Sequence, residues 1–312
     1  MINKKIIDYF SRIKNLKEQD LLEKDLILHL FFKDLIDNNK FGQNFIFKGG
    51  TCLTKCYLGY YRFSEDLDFT WGNQDQFKDL SSKALRRILS TLIGTLGKEL
   101  EIIALKNDLD FKIEKNNRRY VELGANDKFA TFKFWYKSVI SQEDKFIKIQ
   151  INFCESLLYP INVCTAKSLF SDLNKETREE SEFIFPESTN LFFPIECNCY
   201  SLEEILVEKN RAILTRRGIK YRDFIDVFLI LRNLNKKIEL FERKIILKTK
   251  PVLDNYEKYR QNFLLKKQNK FAENMKIQEG ESRLLLRELP KEFDSFVKEY
   301  VIYLNKLLDK IK

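Results

Sequence analysis

A single histidine, His29, in 312 residues removes the commonest routes to nucleophilic catalysis. Ser-His-Asp and Cys-His arrangements need an imidazole beside the nucleophile, and His29 sits in the apolar run LILHLFF, where core packing accounts for it. The six cysteines, at 52, 56, 154, 164, 197 and 199, include no C-x-x-C pair, so a zinc site is not expected. Cys52 and Cys56 lie one helical turn apart and Cys197 and Cys199 alternate in an extended run, which reads as buried free thiols in a reducing cytoplasm. No apolar run of 18 residues occurs, so no membrane span is expected. The start, MINKKIIDYFSRIKN, mixes charges into its apolar positions and lacks a signal-peptide core. Glycine is scarce as well, at 10 residues, yet two stand together at Gly49-Gly50. Neither GxxxxGK[ST] nor GxGxxG is present, which sets aside a P-loop and a Rossmann fingerprint.

What is present is a chain that can build a core: 44% of its residues are hydrophobic. Its 55 Lys and Arg against 46 Asp and Glu give +9 at pH 7. A polyanionic partner such as nucleic acid fits that excess, and a lysine-rich composition alone accounts for it equally well.

Along the chain, residues 3 to 37 have the spacing of two amphipathic helices, and Phe45-Ile46-Phe47 that of a short strand. A helix follows from about Gly50 to Tyr60, then a strand at Asp66 to Trp71 and a helix over 76 to 97. From 100 to 153, alternating segments such as ATFKFWYK and FIKIQINF predict an antiparallel sheet. Its exposed side would carry Lys112, Lys115, Arg118, Arg119, Lys133, Lys137 and Lys148. A loop is expected around 165 to 190, one more strand at IECNCYS, and helix from Leu202 to the end. An α+β chain with two domains, residues 1–198 and 199–312, is therefore expected.

In a strand, Asp66 and Asp68 project from one face while Leu67 and Phe69 enter the core. Two converging carboxylates suit Mg²⁺; two solvated aspartates at a strand edge would look the same in sequence. Upstream, Gly49-Gly50 lies where a strand feeds a helix, a place for a tight turn and for phosphate on unpaired N–H groups. Thr51 could cap that helix or donate its hydroxyl to a phosphate.

These residues resemble a known family. Gly49-Gly50-Thr51 followed by Arg62-x-Ser64-x-Asp66-Leu67-Asp68 is similar to the signature of the AbiEii/AbiGii toxin branch of the DNA polymerase β-like nucleotidyltransferases, which includes type IV toxin–antitoxin toxins and the MenT tRNA nucleotidyltransferases. A second block also resembles the family: Ser201 to Lys209, Arg211-Ala212, Arg216-Arg217-Gly218 and Arg222-Asp223-Phe224-Ile225-Asp226. The resemblance implies a polymerase β-like core with a mixed or antiparallel sheet, followed by a C-terminal helical bundle. It implies an enzyme that moves an NMP from an NTP to an acceptor hydroxyl, with the 3′ end of tRNA as leading acceptor. Protein AMP transfer, or a catalytically weak nucleotide- and RNA-binding module, are the alternatives. Asp66 and Asp68 would bind two Mg²⁺ ions, and Gly49, Gly50, Thr51, Arg62 and Ser64 the phosphates. Lys209 would neutralise the triphosphate, Asp226 would orient it or act as an acid, and Arg222 and Asp223 would complete the substrate contacts. An antitoxin partner is implied too.

Without the family, Lys209 falls on the apolar stripe Leu202, Ile205, Leu206 and Ile213, where a lysine either needs a partner or snorkels. Asp226 sits in an apolar run with Arg222 four residues before it, the spacing of an intrahelical ion pair, and Asp223 in the first turn could serve the helix dipole. One departure from the family stands out. Polymerase β-like enzymes commonly carry a third acid on a neighbouring strand, and the counterpart here, Lys148-Ile149-Gln150-Ile151-Asn152-Phe153, offers Gln150, which cannot act as a base at neutral pH.

Overall fold

A computed structural model describes residues 2–272 and 279–311. The helical expectation for 273–278 and Lys312 lies outside the described residues. The chain divides into two compact units, Met1–Glu155 with Ile161–Cys199, and Ser156–Pro160 with Tyr200–Lys312.

The first unit begins with α1 (Lys4–Lys14), capped by the Asn3 side chain, and α2 (Gln19–Asp37), followed by the short α3 (Asn39–Gly42). Strand β1 (Phe45–Lys48) runs into α4 (Gly49–Cys52), which widens into a π-helical turn over Leu53–Leu58. The single helix expected from Gly50 to Tyr60 is thus a short α-turn and a π-turn, in which Lys55 points inward to Asp25 (3.0 Å). Strand β2 (Asp66–Trp71) has the predicted bounds. The long α5 (Ser82–Lys106) starts later than expected because the Ser81 hydroxyl caps it through the Ala84 N–H. Then come β3 (Val121–Gly124), β4 (Phe129–Lys137), β5 (Asp144–Asn152), β6 (Ile161–Ala166), α6 (Lys175–Ile184) and β7 (Ile195–Tyr200). Helix α6 corrects the expected loop: its composition is polar, but Asn174 accepts from the Thr177 N–H and starts it.

The strands form one mixed sheet in the order β3-β4-β5-β2-β1-β7-β6. Its β3-β4-β5 part is antiparallel, as the alternating segments imply, while β2 lies parallel to β5 and antiparallel to β1. Alternation sends Phe47, Leu67, Phe69, Phe132, Phe134, Ile147, Ile149 and Ile151 to a fully buried face. There Phe31 of α2 meets Phe134 (4.6 Å between ring centres) and Phe32 meets Phe47 (4.5 Å). Each such side chain contributes about 1.5–3 kcal/mol by leaving water. The opposite face is half-exposed and polar, carrying Asp66, Asp68, Lys148, Gln150, Asn152 and Lys133. Cys164 of β6 and Cys199 of β7 are joined in a disulfide, a departure from free thiols throughout, because the adjacent strands bring their Cα atoms to 6.2 Å.

The second unit is helical: α7 (Leu202–Thr215), α8 (Tyr221–Leu234), α9 (Glu242–Asn255), α10 (Glu257–Asn269), α11 (Glu279–Ser282) and α12 (Phe293–Lys310). Leu206, Val207, Phe224, Ile225, Ile230, Val301, Leu304 and Leu308 are fully buried in it. The strap 156–160 belongs to this unit, where Glu204 accepts from the Leu158 and Tyr159 N–H groups (2.9 Å each) and pairs with Lys248 at 2.7 Å. Among the described residues no helix is long and apolar enough to cross a membrane.

Candidate active site

The glycine pair is explained by what packs against it. Gly49 has φ +78°, a left-handed value that favours glycine, and a Cβ there would collide with the Asp68 carboxylate. At Gly50 a Cβ would stand 2.5 Å from Arg62 Nη2 and 3.2 Å from Ser64 Oγ. Backbone at the start of α4 and the acid-bearing strand β2 are therefore in direct contact at Gly49, where only a residue without a side chain permits it.

Thr51 ties the turn to the strand. Its hydroxyl donates to the Asp66 carbonyl and lies 2.7 Å from Ser64 Oγ, and the residue is wholly buried. Capping and phosphate contact were the two readings of Thr51; its hydroxyl is engaged within the fold. Arg62 is 1% exposed and donates to the Phe63 carbonyl at 2.9 Å, so it braces the turn from beneath. Ser64 is half-buried.

Asp66 and Asp68 share the half-exposed face, as their spacing implies. Asp66 Oδ1 is buried and has no hydrogen-bond partner among the described residues; Lys148 Nζ stands 3.4 Å from it as an ion pair. The parallel register sets Lys148 opposite Asp66 and Gln150 opposite Asp68. The neighbouring strand thus presents an ammonium and an amide at these two positions. Among the described residues no group of three or more His, Cys, Asp or Glu side chains is placed to hold a metal ion. At the edge of this face Lys48, in register with Asp68, lies 3.5 Å from Glu155 Oε2, and Asn152 donates to the same carboxylate at 2.7 Å. Glu155 and Lys48 escaped sequence reasoning, since nothing in spacing links residues 48 and 155.

The helical unit holds the other residues singled out in sequence. Lys209 Nζ on α7 lies 2.7 Å from Asp223 Oδ1 and 2.6 Å from Asp226 Oδ2 on α8, and Arg216 Nη1 reaches Asp223 Oδ2 at 2.8 Å. Asp226 is wholly buried. Burial alone would raise the Asp223 carboxyl, but Lys209 and Arg216 outweigh it and hold the group below its usual value. Lys209 is thus an inward lysine with partners, the first of the two options its stripe left open. Arg216 joins the cluster from its exposed rim, and the run of basic residues around it hid which one would reach Asp223. Arg222, half-buried at the start of α8, has its backbone N–H 3.4 Å from Glu281 Oε1. Lys266 of the same unit, buried close to Arg216, has an amine lowered to about 8, first by burial and then by that guanidinium.

A protein-family model described as the nucleotidyl transferase AbiEii toxin of type IV toxin–antitoxin systems matches residues 31–306. Among solved structures, JHP933 from Helicobacter pylori is 18% identical, with 95% of each chain covered and a TM-score of 0.43. A candidate nucleotidyltransferase from the same organism is 16% identical over 95% of this chain and 99% of its own, also at 0.43. No curated protein matches.

Proposed function

Because the chain belongs to the AbiEii family of nucleotidyltransferase toxins of type IV toxin–antitoxin systems, we propose that it moves an NMP from an NTP to the 3′ hydroxyl of a tRNA. The acceptor oxygen bonds to the α-phosphorus as the bond to pyrophosphate breaks. One observation carries the reading: Gly49 abuts the Asp68 carboxylate, so a phosphate on the glycine turn would lie beside the acid pair.

The residues fit a divalent cation such as Mg²⁺. Two carboxylates share a face, and Asp66 Oδ1 is buried with no hydrogen bond and only the loose Lys148 ion pair at 3.4 Å, a contact that a hard cation would improve on. Asp66 and Asp68 would hold it, in a one- or two-ion site. When bound, such an ion supplies charge that offsets the triphosphate and acidifies the attacking hydroxyl. The Gly50 and Thr51 N–H groups, at the start of the turn, would donate to phosphate oxygens. Ser64 would add its hydroxyl at the rim, while Thr51 and Arg62 hold the turn in shape. Lys209, Asp223 and Asp226 pair with one another inside the helical unit, which favours a part in that unit's own fold over one toward the triphosphate, and Arg222 is given no role in the transfer. Family membership also implies a nucleotide substrate and an antitoxin partner.

Gln150 opposite Asp68 favours one second reading, a module that binds nucleotide and RNA but transfers slowly for want of a third acid. The test is incubation with each labelled NTP, Mg²⁺, total RNA and total protein, beside Asp66→Asn and Asp68→Asn. Label in RNA from the wild type alone is the expected result. Label in protein instead means AMP transfer to a side chain, and nucleotide binding without any transfer means the slow module.

A further inference from the structure

The polar face of the sheet continues beyond the acid pair as a line of two facing rings with a cation at each end. Lys148 stands opposite Asp66 across β2 and β5, and opposite Lys133 across β5 and β4. Two residues back along β5, Phe146 stands opposite Trp135 of β4, with ring centres 4.7 Å apart. Lys148 Nζ and Lys133 Nζ lie 5.8 and 5.9 Å from the Phe146 ring centre, and the Arg119 guanidinium 4.3 Å from that of Trp135. From the Asp66 carboxylate outward the order is therefore ammonium, phenyl ring, indole ring, guanidinium.

This arrangement is not what a solvent-facing strand needs. The reverse side of the same strands carries the core, and the polar face could be filled with Thr, Lys and Glu at every position. Two large aromatics at directly opposed positions, both half-buried, leave apolar ring surface where water reaches. Each ring has a cation close to it, the pairing by which proteins hold single-stranded nucleic acid: bases stack on rings or on guanidinium planes while ammonium groups track the phosphates. Lys133 and Arg119 are at present matched by Glu122 (2.5 Å) and Asp110 (3.2 Å). Such surface pairs are weak and exchange readily for phosphate.

We propose that this track seats the unpaired end of the RNA acceptor and points its terminal hydroxyl at Asp66 and Asp68. Phe146 and Trp135 stack the bases nearest the end, and Lys148, Lys133 and Arg119 meet their phosphates. Phe146 lies two residues from the register partner of Asp66, about 7 Å along the strand at a rise of about 3.3 Å per residue. A base on that ring thus belongs to a nucleotide beside the reacting one. Bases inside a duplex are already stacked and cannot use the track, so the partner is single-stranded. This rests on the nucleotidyl-transfer reading above, and it commits that reading to an RNA end rather than a protein side chain.

The chain has two tryptophans, Trp71, 8% exposed, and Trp135. Indole fluorescence therefore reports on the track without any need for activity. The full-length protein is titrated, in the absence of NTP, with a short single-stranded RNA, an abasic strand of equal length and charge, a duplex of the same sequence, and an acidic peptide. Saturable quenching is expected with the single strand alone, lost in Trp135→Phe. Phe146→Ala is expected to weaken binding of the single strand about ten-fold, and Phe146→Tyr to restore it, with both variants melting as the wild type does. RNA binding followed by anisotropy without quenching, equal quenching by the acidic peptide, or undiminished binding in Phe146→Ala would each overturn the proposal. Label transfer to RNA alongside any of those outcomes would leave the transfer reading standing and remove only the track. Label transfer to protein would remove the reading itself.

Discussion

The two polar clusters that the sequence brings forward are built on opposite terms. In the helical unit two basic groups, Lys209 and Arg216, meet two carboxylates, Asp223 and Asp226, at 2.6 to 2.8 Å, with both aspartates at 2% exposure or less. On the sheet, Asp66 and Asp68 stand half-exposed; one Asp66 oxygen is buried without a hydrogen bond, and a single ammonium faces it at 3.4 Å. The first cluster is complete as folded. On the reading proposed above, the second gains when a cation binds. Charges with matched partners satisfy one another within the helix pair, whereas the Asp66 oxygen on the sheet, without a hydrogen bond and only loosely paired with Lys148, leaves a contact that a cation could take.

If that contrast holds, the largest stability effect belongs to the helical unit. Lys209→Met leaves Asp226, wholly buried, beside no ammonium from α7, and breaking a buried pair on one side costs about 3–5 kcal/mol. A fall in unfolding free energy of that size, with the double variant Lys209→Met/Asp226→Leu recovering much of it, is the expected result in denaturant titration. A variant that melts like the wild type and yet loses transfer would place Lys209 on the ligand side of the comparison.

The largest activity effect belongs to the sheet. Asp68→Asn keeps the shape of the side chain against Gly49 but removes its charge, so transfer is expected to fall by about 10²–10³-fold, the scale of losing one transition-state charge contact. Its melting midpoint is expected to stay near that of the wild type. Loss of fold in this variant would make the acid pair structural.

Much of this was legible in the sequence, and the failures share a cause. The bounds of β2, the common face of Asp66 and Asp68, and the inward position of Lys209 all follow from periodicity within one element. Periodicity says nothing about partners from distant segments. Lys55 was invisible as a core residue because its carboxylate, Asp25, lies 30 positions earlier on another helix. Arg62 was expected among the phosphate contacts, and nothing in its spacing showed that it lies under Gly50 at 1% exposure. Helix α6 was hidden by the near absence of an apolar face, with Ser181 its single buried residue.

Acid separates the two units in a way that sequence alone could not foresee. His29 is fully buried in the sheet unit; burial, with Lys55 beside it, holds the imidazole well below its usual range. The unfolded chain takes up a proton there below about pH 6.5, and the folded chain does so only at lower pH. Stability contributed by neutral His29 is therefore present above that pH and lost as pH falls toward the lowered folded-state value, by at most about 1.4 kcal/mol per unit. Asp223 titrates below its usual carboxylate value, so its contribution to the helical unit persists through this range and is lost only as pH drops below about 4. Hydrogen exchange read unit by unit is expected to show the sheet unit weakening first between pH 6.5 and 5. His29→Leu should flatten that slope, and equal weakening of both units would show that they do not open separately.

The smallest effect is the sharpest control on the comparison. Lys148 and Lys209 are both lysines held by aspartate, but the Lys148–Asp66 pair has side chains 32% and 26% exposed, against 12% and 0% for Lys209–Asp226. Solvent screens the first pair, and an ion pair of that kind is worth at most about 1 kcal/mol. Lys148→Met is therefore expected to move the melting midpoint by no more than a degree or two for a chain of this size. It also removes an ammonium that competes for Asp66, so a divalent cation should bind the variant more tightly in calorimetry, with no NTP or RNA present. A destabilisation matching that of Lys209→Met would mean that the Asp66 pair is a structural ion pair like its counterpart, and that the sheet site is not waiting for a cation.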